Sequence, residues 1–146
     1  MSFWDWALAA YGRAGVPEAC LALQDYHGQQ TVYLLWAAFA RPSDPDLAAG
    51  AELARHWDLS ILGPIRQSRR ALKAQLSPVS NEARIALREE VKRVELAAER
   101  LLMETLEALA PGGPSGSPLL ALLRAGQAWG DPPPEAALQS LADRLA

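Results

Sequence analysis

One cysteine and two histidines in 146 residues leave little material for thiol or metal chemistry. Cys20 has no second cysteine to pair with, so no internal disulfide can form, and a lone thiol suits a reducing compartment. Four-ligand zinc sites draw on richer clusters than His27 and His56 supply, and no metal is expected. No long apolar run is present either. The longest, Thr31–Ala40, is about half of what a bilayer-spanning helix needs. The opening MSFWDW has no basic start and no apolar stretch after it, so no secretory signal is expected. A net charge of −3 gives no global electrostatic case for nucleic acid or an anionic membrane, and neither is expected as a partner. The expected location is the cytoplasm. There is no Gly-rich phosphate loop after a strand, no serine elbow, and no histidine with an obvious orienting acid. Nothing therefore selects a reaction, no cofactor is expected, and the chain reads as a binder rather than an enzyme.

What is present is helix-forming sequence. The length is that of one ordinary domain, able to bury roughly 70% of its unfolded surface without disulfides or metal. Ser2 with Asp5 reads as a capping box starting a first helix that runs to about Tyr11. Pro17 sits in the first turn of a second, which ends at His27-Gly28, with Gly28 suited to a left-handed cap. A third helix starts within two residues and runs through Arg41. Asp44-Pro45 start a fourth, reaching about Asp58. Gly63-Pro64 start or kink a fifth, reaching about Leu76, and a long sixth runs from about Asn81 to Ala110. The expected fold is all-α, a compact helical bundle of about six helices with a short C-terminal helical appendage. Residues 1–110 are the bundle and PGGPSGSP, residues 111–118, is a flexible linker by composition. Residues 119–146 form a loosely joined helical tail.

Gln24-Asp25-Tyr26-His27, just before Gly28 and the apolar run, invites a site reading. Cys20 and His27 share a helix face but stand about 10 Å apart in rise, too far for a nucleophile and base that need contact of about 3 Å. Asp25 and His27 point about 200° apart on a helix. A helix-turn-helix reader of DNA would carry polar side chains on its second helix, whereas TVYLLWAAFA is apolar all round and marks a buried central helix. The stretch therefore reads as a corner. There Asp25 is expected to accept from free N–H groups at the start of the third helix, and Gln24 to be half-buried.

A second constellation is PIRQSRRALK. Arg66, Arg69, Arg70 and Lys73 fall within about 100° of helix circumference. Arg69 lies at the edge of the apolar stripe, between Ile65 and Leu72, and needs a partner there. Glu95 and Glu99 on the sixth helix are the expected partners, forming a lock between helices five and six. The alternative is a pocket in which clustered arginines grip phosphate or carboxylate.

FWDWALAAYGRAGVPEACLALQDYHGQQTVYLLW, PIRQSRRALK and VELAAERLL together resemble a bacterial family, a domain of unknown function. Its shared features are an N-terminal Trp followed by a Tyr, an Ala-Cys-Leu-x-Leu-Gln-Asp segment, an Arg-Arg-x-x-Lys helix and a Glu-Leu-x-x-Glu-Arg helix. They match Trp6, Tyr11, Ala19 to Asp25, Arg69 to Lys73, and Glu95 to Arg100, so the resemblance covers roughly residues 3–106. It implies no activity. It does imply that Gln24, Asp25, Arg69, Arg70, Glu95 and Glu99 belong together as one polar set.

These readings lead to two functions. The first is a protein-interaction or adaptor module, whose partner is another protein or a second copy of itself. On the sixth helix Ile85, Leu96 and Met103 form a stripe roughly opposite a main apolar stripe of Leu87, Val91, Val94, Ala98, Leu101 and Leu109. A helix with two apolar faces is either sandwiched in its own fold or shared. The second is a binder of a phosphorylated or acidic small molecule, using Gln24, Asp25, His27, Arg66, Arg69, Arg70, Lys73, Glu95 and Glu99.

Overall fold

The computed structural model describes residues 1–111 and 116–146. Among the described residues the fold is all-α, with no strand. α1 (Phe3–Tyr11), α2 (Val16–His27) and α3 (Thr31–Ala40) are followed by α4 (Asp44–Trp57). A π-helical turn (Asp58–Leu62) continues α4 into α5 (Gly63–Ala71), and the long α6 (Asn81–Leu109) comes next. α7 (Pro118–Trp129) and α8 (Glu135–Leu145) are the last two helices described. No helix is long and apolar enough to cross a membrane, among the residues described.

The caps show why the helices begin where they do. Ser2 Oγ accepts from Asp5 N–H at 3.1 Å and donates to the Asp5 carboxylate at 2.7 Å, closing the first turn of α1. Gly28, with φ of 62°, ends α2 in the left-handed region that glycine adopts without Cβ strain. At α4 the cap is one residue earlier than expected: Ser43 accepts from Asp46 N–H at 3.3 Å, and Asp44-Pro45 open the helix proper.

α3 is the centre of the core. Val32 through Phe39 are all buried, because helices surround it on every side. α1, α2, α4, α6 and α7 all pack against it. Phe39 stacks on Phe3 at 5.4 Å between ring centroids and lies 5.5 Å from Trp6. Gly50 on α4 permits the close approach of Trp36, since a Cβ there would stand 2.4 Å from the indole.

The expectation of a loosely joined tail is corrected. α7 packs on α3 and α4, and α8 packs on α2 and α7. Leu122, Ala125, Leu138 and Leu141 are fully buried in the same core. Tyr33 donates its hydroxyl hydrogen to the Ala125 carbonyl at 2.9 Å, and Arg124 pairs with Asp44 at 2.7 Å. Half of the expected linker, residues 112–115, lies outside the described residues, and Pro118 at its end already opens α7. Composition marks where a chain turns; it does not say whether the next helices are packed.

α5 and the first half of α6 are built differently. No side chain of α5 is buried, and before Glu95 the only buried side chain of α6 is Arg84. α5 packs mainly on α6 and on the π turn, among the described residues. These two segments form an antiparallel arm that leaves the body at Glu95. α5 also ends at Ala71, five residues before the expected end, because Arg84 takes the carbonyls of Leu72 and Lys73 at 2.6 and 3.1 Å.

Candidate functional site

Pro64 has no N–H, and in a regular helix its ring would meet the carbonyl four residues back. The π turn resolves this by letting Gly63 N–H reach Asp58 carbonyl instead. Only glycine fits there, since a Cβ on Gly63 would stand 2.7 Å from that carbonyl oxygen. The widened turn sets Asp58 beside Arg66, with Oδ1 to Nη2 at 3.9 Å. Asp58 Oδ1 is buried and has no hydrogen-bond partner.

From there α5 presents its arginines to α6. Arg69 Nη1 donates to both carboxylate oxygens of Glu95, at 2.9 and 2.8 Å. Arg66 Nε lies 3.7 Å from the same carboxylate. The Glu95 side chain is only 8% exposed, so the low-dielectric surroundings strengthen the pair and would penalise either member left alone. Two arginines of α6 then hold the end of α5: Arg88 Nε donates to Arg69 carbonyl at 3.3 Å, beside the two bonds from Arg84. Cations at a helix C-terminus meet the carbonyls that the helix itself leaves free.

The result is an open cleft of about 560 Å³ between α5 and α6. Arg69, Arg70, Lys73, Arg88 and Lys92 line it, with Glu95, Glu99 and Leu96. Among the described residues the guanidinium of Arg70 and the ammonium of Lys73 have no hydrogen-bond or ion-pair partner. Lys92 pairs with Glu89 at 3.0 Å. Glu99 lines the same cleft and feels the charges of Glu95, Arg66, Arg69 and Asp58. Burial raises its pKa, and the neighbouring Glu95 charge raises it further against the opposing pull of the two arginines.

The cleft concentrates charge that the whole chain conceals. Residues 63–99, which include both glutamates of the cleft, carry eight arginines and lysines against five glutamates, a net of +3. The remainder carries six against twelve, a net of −6.

The expected polar set is therefore brought together in part. Arg66, Arg69, Arg70, Lys73, Glu95 and Glu99 meet at the arm. Gln24, Asp25 and His27 do not join them, because α2 packs on α8, α3 and α1. Asp25 is exposed, and it does not cap α3. That role belongs to Gln30, whose side chain accepts from Tyr33 N–H at 2.7 Å. The neighbouring Gln29 donates to Asp131 carbonyl at 2.9 Å, and Trp129 Nε1 donates to Gly28 carbonyl at 3.1 Å. The loop between α7 and α8 thus covers the corner. Cys20 is buried, its thiol pushed up to about 11 by burial, and burial raises the Tyr11 hydroxyl as well.

The two stripes of α6 also differ from expectation. Ile85 and Leu96 are exposed, but Met103 is buried. Leu87, Val94 and Leu101 of the expected main stripe are about half exposed. The core-facing side keeps Ala98 of the expected main stripe and otherwise turns towards the second one, through Glu95, Leu102 and Leu106. Sequence reasoning missed Arg84, Arg88 and Lys92. Their four-residue spacing on one helix face, opposite a basic helix, was the available signal.

No curated protein and no solved structure matches the chain. Residues 2–106, from the N-terminal cap through the arm and into the core-facing half of α6, match the family described as protein of unknown function (DUF2390), and the chain belongs to that family.

Proposed function

We propose that this protein binds a multiply charged anion, a phosphorylated or polycarboxylate small molecule, in the cleft between α5 and α6. The observation that carries this reading is the pair Arg70 and Lys73. They line a cleft in which cations outnumber carboxylates by five to two, and neither has a partner among the described residues. Arg69 is different, since Glu95 already engages it through both oxygens. Its role is to fix α5 against α6, so that the free cations face one volume. Arg88 adds to both roles, because its Nε is used on Arg69 carbonyl while the rest of its guanidinium faces the cleft. Leu96 is the single apolar residue of the lining, which suits a ligand that is mostly charged.

Thermal shift and calorimetric titration with inorganic phosphate, pyrophosphate and citrate test this directly. A ligand at one hundred times its dissociation constant stabilises the native state by about 2.7 kcal/mol. The expected result is stabilisation that falls with added salt and is lost in Arg70→Ala/Lys73→Ala. Equal stabilisation of parent and variant would refute the cleft as the site. A protein-interaction role rests on a different surface, the outer stripe of α6.

A further inference from the structure

We infer, resting on the reading of the cleft as an anion site, that its ligand is an organic phosphate whose hydroxylated carbon skeleton lies in a second groove on the neighbouring face of α5. That groove, of about 470 Å³, opens beside the π turn. Asp58, Leu59, Pro64, Arg66 and Gln67 line it, together with Arg70, which lines the cleft as well. Arg70 is therefore the ridge between two adjoining volumes. At about 100° per residue, the α5 side chains of the cleft and of the groove are centred about 85° apart, an arc of about 8 Å at the outer radius of a helix. A small phosphate ester spans that distance, whereas a lone phosphate does not.

The two volumes differ in chemistry. The cleft sets five cations against two carboxylates, with Leu96 as its single apolar residue. The groove has two arginines, and Arg66 is already shared between Asp58 at 3.9 Å and Glu95 at 3.7 Å. Little positive charge remains there for a second phosphate, so a polyphosphate chain gains little by extending into it.

What the groove offers suits a neutral, hydroxylated moiety. The Asp58 side chain is 35% exposed and has acceptor capacity unused at Oδ1. An ionised carboxylate only accepts, so it calls for a donor such as a hydroxyl. The exposed Gln67 amide both donates and accepts. Leu59, 75% exposed, and the exposed Pro64 give the carbon side of a ring an apolar surface. Apolar walls with a few placed polar groups are what orient a small molecule. The phosphate then sits against Lys73 and Arg70, and the skeleton passes over Arg70 towards Gln67 and Asp58.

Calorimetric titration of the full chain with methyl phosphate and ribose 5-phosphate tests this, because both carry a phosphomonoester and only the second carries a hydroxylated ring. Ribose 5-phosphate should bind about tenfold tighter, the order that one or two hydroxyl contacts supply. Leu59→Ser/Gln67→Ala changes two exposed side chains outside the Arg69–Glu95 pair. It should remove that margin and leave methyl phosphate and pyrophosphate binding unchanged. AMP separates a nucleotide from a free sugar phosphate. A further gain with AMP in the parent alone marks the nucleotide, no gain marks the sugar phosphate, and both support the groove. Equal binding of methyl phosphate and ribose 5-phosphate overturns the groove and leaves the cleft standing. So does a Leu59→Ser/Gln67→Ala variant that keeps the full margin, or one that weakens both esters alike. Binding of none of these phosphates, or binding that survives Arg70→Ala/Lys73→Ala, removes the cleft and the groove with it.

Discussion

In the body of the molecule α3 buries eight consecutive side chains, from Val32 to Phe39, whereas in the arm α5 buries none. The body is held by apolar contact on all sides of one helix, and its hydrogen bonds serve mainly to close caps and corners. The arm is held by an arginine on a carboxylate and by two arginines on the free carbonyls of a helix end. Burying apolar area scales with contact and needs no particular geometry. Charged pairs need their partners in place and leave other charges of the same cluster exposed. The difference lies in what each leaves over: the body closes on an apolar interior, and the arm keeps Arg70 and Lys73 without a partner among the described residues.

The comparison breaks first if a side chain of the body proves dispensable. Leu122→Ala on α7 should cost about 3 kcal/mol in urea unfolding, as for a fully buried leucine. A loss near zero would return α7 and α8 to the status of an appendage. Arg69→Ala comes next. It leaves Glu95 without its closest partner, although Arg66 stays within 3.7 Å. The expected cost is about 2 kcal/mol. Arg69→Met combined with Glu95→Leu should recover much of it, because neither charge is then stranded. A double-mutant coupling below about 0.5 kcal/mol would remove the lock from the arm.

Glu99 sharpens the comparison through pH. Its pKa in the folded protein lies above the ordinary 4.5, chiefly through burial. Protonation is therefore favoured by folding. The associated stability is complete below the ordinary value and is lost as pH rises through the folded one. Glu99→Gln should raise the melting temperature near neutral pH, with the difference from the parent shrinking towards pH 4.5. Identical pH profiles would show that Glu99 is not constrained by the cleft. Protonation also removes a negative charge from the lining, so anion affinity should rise as pH falls. The smallest effect on stability is expected from Arg70→Ala and Lys73→Ala, within about 0.5 kcal/mol of the parent, because both side chains are exposed and have no partner among the described residues. Their effect should be seen in anion titrations alone.

Much of this architecture was legible in the chain itself. Helix boundaries follow local rules, so Ser2, Gly28 and Ser80 mark ends that depend on a few neighbouring residues. The burial of α3 follows from its lack of a polar face, which leaves no orientation compatible with solvent. The Arg69–Glu95 pair was also readable, since an arginine at the edge of an apolar stripe needs a carboxylate within reach. Other features depended on residues far apart in sequence. Gln30 caps α3 while Asp25 faces solvent, because the helix-to-helix turn at Gly28 sets which side chain reaches Tyr33 N–H. The core-facing side of α6 takes Ala98 from one apolar stripe and turns towards the other, and the two are of similar apolar content, so periodicity could not choose among its faces. α1, α3 and α4 made that choice by packing against Ala98, Leu102 and Leu106, with Glu95 carried inward by its arginine. The charge of the arm is legible only once α5 and α6 are known to be antiparallel, since that pairing brings Arg70 and Lys73 to the same cleft as Arg88 and Lys92. Local propensity fixes where helices start and stop, but which faces meet is decided by the summed contacts of the whole core.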